Sequence, residues 1–85
     1  MNNKILILGI SSFAGANFAN YLLNHSNLRV FGTFNKRKKL PFNYFLKKNN
    51  KFNKIKLYKL DLSLNKKRLE NIISQINPNY IIDFA

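Results

Sequence analysis

The chain has 85 residues, no cysteine and a formal net charge of +12. That length allows one small domain, which buries roughly 60–65% of the surface its unfolded chain exposes, and excludes two. Without Cys there is no disulfide scaffold or thiolate zinc site, and the single histidine, His25, leaves no basis for a His-rich metal site. The hydrophobic fraction of 46% is that of a globular chain, not a disordered one. Fifteen Lys and Arg against three Asp and Glu invite a nucleic-acid reading. Yet Lys, Asn and Ile together supply 36 of the 85 residues. A bias that raises all three points to coding composition as much as to selected charge, because Asn and Ile add nothing to phosphate electrostatics.

The first sixteen residues have the outline of a secretory leader: one lysine, an apolar run and the small triplet Ala14-Gly15-Ala16. The run, Ile5 to Ile10, is six residues long, short of the roughly 7–15 of a leader, and Ser11 and Ser12 interrupt it. The segment is therefore read as a retained strand over 4–8, apolar on both faces and ended by Gly9. A helix over 13–24 follows, with Ala14, Phe18, Tyr21 and Leu22 expected on its buried face. The turn formers Asn24-His25-Ser26-Asn27 end it. A second strand is expected over 28–34. The Lys- and Asn-rich stretch 35–53, with Pro41 inside, reads as a loop holding one helical turn. A third strand over 55–60 carries Lys56 and Lys59 on opposite faces, as a sheet edge tolerates. Leu69, Ile72, Ile73 and Ile76 define an amphipathic helix over 65–75, stopped by Pro78, with Glu70 facing solvent. A fourth strand over 80–85 closes the sequence. No run approaches the roughly 20 apolar residues of a membrane span.

Alternating strands and helices imply an α/β fold with a parallel sheet, a partial doubly wound (Rossmann) arrangement in the order 3-2-1-4. The charged third strand then falls at an edge.

Between the first strand and first helix lies Gly9-Ile10-Ser11-Ser12-Phe13-Ala14-Gly15. In such a loop the first glycine permits a tight turn, a small middle residue admits a pyrophosphate, and the last lets helix and strand pack closely. The helix N-terminus then favours the anion. Gly and Ser are common in any strand-to-helix turn, so the loop alone is a weak signal. Three segments together are more specific. Residues 4–15, then Leu60-Asp61-Leu62-Ser63, then Pro78-Asn79-Tyr80-Ile81-Ile82-Asp83-Phe84-Ala85 resemble, in order, three motifs of the extended short-chain dehydrogenase/reductases. These are the NAD(P)-dependent epimerases, dehydratases and reductases of nucleotide sugars. The matching motifs are the glycine motif, the Asp-hydrophobic pair after the third strand, and the fourth strand "P-D-x-V-I-H-x-A-A". Ser12 departs from the family's middle glycine.

The resemblance implies that Gly9, Ser11, Ser12, Phe13, Ala14 and Gly15 hold the cofactor pyrophosphate. It likewise implies that Asp61 and Leu62 lie at the adenine, and that Phe84 and Ala85 belong to the cofactor site. An NAD-preferring member has an acid about 20 residues beyond the glycines. Here Asn35 stands there, followed by Lys36 and Arg37, and no acid precedes Asp61. Together with the resemblance, this favours NADP over NAD, with Arg37 and Lys36 paired to the 2′-phosphate.

The family's catalytic Tyr-x-x-x-Lys lies on a later helix. Tyr44 and Lys48 have that spacing but stand between the second and third strands, so no catalytic residue is assigned. Residues 1–85 thus read as the N-terminal portion of a longer, cytoplasmic enzyme, whose nucleotide-sugar substrate would meet only the full-length protein. Two alternatives differ in class. One is a small basic single-stranded nucleic-acid-binding protein that uses Phe42, Tyr44, Phe45 and Phe52 with Lys47, Lys48, Lys51 and Lys54. The other is a secreted basic peptide cleaved after Ala16.

Overall fold

The computed structural model describes residues 3–35, 44–61 and 63–85, the side chains at 44 and 45 excepted. Strand β1 (Lys4–Leu8) is its axis. Strand alternation sends Ile5 and Ile7 into one core and Leu6 and Leu8 into another, so the unbroken apolar run is consumed on both faces. Around it are α1 (Phe13–His25), β2 (Arg29–Phe34), α2 (Tyr44–Lys47), a 3-10 turn (Phe52–Lys54), β3 (Lys56–Lys59), α3 (Lys66–Ile76) and β4 (Tyr80–Asp83). The four strands are parallel in the order β3-β2-β1-β4, as expected. Leu8, at the end of β1, stands level with Thr33 of β2 and Asp83 of β4. The loops that follow these strands therefore leave from one end of the sheet.

Helix α1 covers one face of the sheet, with Leu46 of α2 and Ile55 joining its core. Helix α3 covers the other face through Ile72 and Ile76, with Leu69 and Ile73 partly buried, as the periodicity predicts. Glu70 is exposed, also as expected.

The expected buried face of α1 holds for Leu22 and in part for Phe18, and is off by part of a turn for the other two residues. Ala14 and Tyr21 are exposed, and the residues that meet the core are Gly15, Ala16, Ala19, Leu22 and Leu23. The reason is steric. The first turn of α1 lies close over the loop after β1, where a Cβ on Gly15 would meet the Gly9 carbonyl oxygen, and the small Gly15, Ala16 and Ala19 face the core before Leu22 and Leu23 do. Tyr21 lies 59% exposed and packs its ring on His25, with centroids 4.6 Å apart.

Both long helices are closed by polar groups. The Ser26 hydroxyl and N–H both donate to the Leu22 carbonyl at the end of α1. Helix α3 ends with Asn77 in the left-handed region (φ 52°), its N–H bonded to the Ile73 carbonyl, just before Pro78. Lys4 Nζ donates to the Ile76 carbonyl at 2.9 Å and sets a cation at the negative end of that helix, an interaction of roughly 0.3–1 kcal/mol. Lys4 and Asn79 also exchange two bonds: the Lys4 N–H donates to Asn79 Oδ1, and the Asn79 N–H donates to the Lys4 carbonyl.

Both outer strands carry exposed residues. Lys56 and Lys59 are exposed on β3, as expected of an edge, and Tyr80 and Ile81 are exposed on β4.

Gly32 on β2 has a packing role that no turn requires. A Cβ there would lie 2.6–2.8 Å from three carbons of Ile10, which fills the space above it and is fully buried. Gly32→Ala is expected to lower stability by about 1–3 kcal/mol through overpacking. Ile10→Ala in the same chain should recover part of that loss, so that the pair is less than additive in urea-unfolding midpoints.

Candidate functional site

The loop after β1 is built on Gly9. Its φ of +81° lies in the left-handed region, and a Cβ there would sit 2.8–3.0 Å from backbone atoms of Phe84 and Ala85. Glycine therefore serves both the turn and the approach of the chain beyond β4. Gly15 is the second contact point, because a Cβ on it would run into the Gly9 carbonyl oxygen. Helix α1 can thus lie directly against the turn that precedes it.

Two hydroxyls hold this turn. Thr33, 1% exposed, receives the Gly9 N–H on its Oγ1 at 3.1 Å, and its carbonyl receives the Ile10 N–H at 2.9 Å. Ser12 caps α1: its Oγ accepts from the Gly15 N–H at 3.0 Å and donates to the Gly9 carbonyl at 2.8 Å. The Ser12 N–H donates to that same carbonyl, and the Ala16 N–H donates to the Ser12 carbonyl.

Above the strand ends lies a cleft of about 520 Å³. Gly9, Ser11 and Ser12 form its floor at the end of β1. Thr33, Phe34 and Asn35 come from the end of β2, Leu60, Asp61 and Ser63 from beyond β3, and Asp83, Phe84 and Ala85 from β4 and beyond. The cleft lies where the chain order reverses across β1, with β2 on one side and β4 on the other. That is the usual ligand position in open α/β sheets.

Each acid in the cleft organises its own turn. Asp61 Oδ1 accepts from the Ser63 N–H and hydroxyl, and Asp83 Oδ1 accepts from the Ala85 N–H at 2.8 Å. Phe84 packs its ring against Phe18 of α1, with centroids 5.7 Å apart, and its N–H extends the β1–β4 ladder to the Leu8 carbonyl.

Of the residues expected at the cofactor, Gly9, Ser11, Ser12, Asn35, Asp61, Phe84 and Ala85 line the cleft. Gly15 is buried beneath the loop, while Phe13 is 72% exposed and Ala14 is exposed, and none of these three residues lines the cleft. The expectation for these three residues thus rests on backbone N–H groups, and that of Gly15 already donates to Ser12 Oγ. Lys36, Arg37 and Leu62 lie outside the described residues. Thr33, Phe34, Leu60, Ser63 and Asp83 also line the cleft, and the sequence alone does not assign them to the cofactor. Thr33 reads as an ordinary β-branched strand residue, and only strand register places its hydroxyl under Gly9.

Two of the residues expected to bind single-stranded nucleic acid, Phe52 and Lys51, make contacts within the fold. Phe52, one of the expected base-stacking aromatics, packs partly buried against the α1-side core, and Lys51 Nζ donates to the Leu23 carbonyl. Phe42 and the side chains of Tyr44 and Phe45 lie outside the described residues. Lys48 is exposed and does not line the cleft. Among the described residues no group of three or more His, Cys, Asp or Glu is placed to hold a metal ion, and no helix is long and apolar enough to cross a membrane.

Comparison with known proteins agrees with this fold. A family model described as GDP-mannose 4,6 dehydratase matches residues 6–85. The chain belongs to that family. Among solved structures, dTDP-glucose 4,6-dehydratase from Bacillus anthracis str. Ames, determined in complex with NAD, is similar over 98% of this chain with a TM-score of 0.77 and 21% identity. The PbgP3 protein from Burkholderia pseudomallei is similar over 98% of the chain with a TM-score of 0.71 and 22% identity. At such identities the likeness establishes the fold. The chain spans 26% and 22% of those two proteins. No curated protein matches it.

The family's middle glycine is serine here, and the local geometry explains why serine fits. At φ −69° and ψ 161° the backbone of residue 12 is extended, a conformation open to any residue. The Ser12 hydroxyl turns back to Gly9 and Gly15.

Replacing Thr33 by Val keeps the shape but leaves the Gly9 N–H without its partner. Thr33→Val should cost about 1–3 kcal/mol, while Thr33→Ser, which retains the hydroxyl, should cost less. Thermal melts of the two variants check this, since about 1 kcal/mol moves the midpoint by roughly 4–8 °C at this size.

Proposed function

We propose that this chain is the dinucleotide-binding portion of a nucleotide-sugar dehydratase, epimerase or reductase, with the cofactor pyrophosphate over the loop 9–15. The observation that carries the reading is the Gly9 turn. It has positive φ, lacks a side chain where the segment beyond β4 approaches, and leads directly into the N-terminus of α1 beneath the cleft. The residues suit a dinucleotide. The loop offers the helix start to the pyrophosphate, Asn35 stands at the end of β2 for the adenosine ribose, and Asp61 stands beyond β3 for the adenine, with Leu62 next in sequence. Phe84 and Ala85 close the cleft on the β4 side. When bound, the cofactor would exchange a hydride with the sugar. The part of this chain is to hold and orient the adenosine and pyrophosphate.

The loop after β2 favours NADP(H). Asn35 lines the cleft without a negative charge, and Lys36 and Arg37 follow it in sequence. A carboxylate in that position would repel a 2′-phosphate, whereas these cations would pair with it. The NAD in the Bacillus anthracis structure belongs to that enzyme and supports the dinucleotide class for this one.

Fluorescence titration with NADPH and NADH tests both levels. NADPH should bind at least about tenfold more tightly, a difference of ~1.4 kcal/mol, and Arg37→Ala should remove most of that preference. Equal affinities would discard the 2′-phosphate assignment and leave dinucleotide binding standing. No binding of either nucleotide by folded protein would discard the dinucleotide reading itself.

A further inference from the structure

We infer that Ser12 is a positioning residue that locks the loop 9–15 in its pyrophosphate-binding shape before any ligand arrives. The inference rests on the dinucleotide reading and adds a role for the residue that departs from the family motif. The Ser12 side chain spans the loop from one glycine to the other, donating to the Gly9 carbonyl at 2.8 Å and accepting from the Gly15 N–H at 3.0 Å. Its own N–H donates to the Gly9 carbonyl as well, at 3.0 Å, and its carbonyl receives the Ala16 N–H at 2.9 Å. One residue therefore makes four bonds that tie the end of β1 to the first turn of α1.

A glycine at position 12 could keep the two backbone bonds but not the two made by the hydroxyl. It would also widen the backbone freedom of the free loop, which binding would then have to remove. Ordering a loop on binding subtracts from affinity, so a loop already ordered binds more tightly with no added contact to the ligand. The geometry also sets a limit. Because the Ser12 hydroxyl is committed to Gly9 and to the Gly15 N–H, its effect on a bound phosphate runs through loop shape.

The role predicts a ligand-dependent signature. Binding of ADP, which carries the diphosphate, should depend on Ser12, and binding of adenosine, which lacks it, should not. Calorimetric titration of the full chain would compare wild type with Ser12→Gly, Ser12→Ala and Ser12→Thr. Glycine is tolerated at a helix N-cap at little cost, so Ser12→Gly reports even where Ser12→Ala is too unstable to measure. Ser12→Gly should weaken ADP about five- to tenfold, leave adenosine within about twofold, and be matched by Ser12→Ala, while Ser12→Thr restores ADP binding. Unchanged ADP affinity in Ser12→Gly, or an equal loss for ADP and adenosine, would overturn the role of Ser12 while wild-type binding upheld the dinucleotide reading. Failure of folded wild-type protein to bind ADP would overturn both.

Discussion

The molecule is organised around a place where side chains must be absent. All three glycines of the chain meet at the turn after β1. Gly9 gives room to the backbone of Phe84 and Ala85, Gly15 lies against the Gly9 carbonyl, and Gly32 makes space for the side chain of Ile10. Four segments thereby converge: the end of β1, the start of α1, the middle of β2 and the residues beyond β4. The cleft sits where it does because of this convergence. A turn with the same φ but looser neighbours would leave the helix N-terminus, and the N–H groups it offers, without a fixed direction.

The polar bias of the sequence is partly absorbed by the fold. Lys4 closes the C-terminus of α3, and Lys51 reaches the Leu23 carbonyl near the C-terminus of α1. The Asn49 amide donates to the side-chain oxygens of Asn20 and Asn24, one helical turn apart on α1, and so fastens the segment after α2 to that helix. Asn77 takes the left-handed position that ends α3, and Asn79 pairs with Lys4 at the start of β1. Residues that look like coding composition are in these instances helix caps and cross-links. Meanwhile two of the three acids, Asp61 and Asp83, line the cleft and organise its turns. Among the described residues that line the cleft, these two acids are the charged side chains, whereas the chain as a whole carries +12.

What could be read in advance follows from how far each signal reaches along the chain. Helix α3 was legible because Leu69, Ile72, Ile73 and Ile76 form one apolar stripe against otherwise polar residues. The face of α1 was legible only in part. Its sequence offers apolar side chains around most of its circumference, and the choice among them depends on how closely the first turn approaches the loop after β1. Gly9, Asn35 and Asp61 were legible as cleft residues because each follows the C-terminal end of a predicted parallel strand, and such ends share one side of a sheet. Thr33 was not, because nothing local separates a threonine that pairs with Gly9 from one that faces solvent.

Local periodicity and turn chemistry by themselves determined the order and type of the elements, the parallel sheet and the position of the glycine-bounded loop after β1. These properties depend on residues only a few places apart. Tertiary structure alone decided the buried face of α1, the space above Gly32 and the support of Gly9 by Thr33. It also decided that the Ser12 hydroxyl, exchanged for a family glycine, turns inward to Gly9 and Gly15. Each of these depends on a distance between segments that the sequence does not encode locally, and each is resolved only when α1 settles on the sheet.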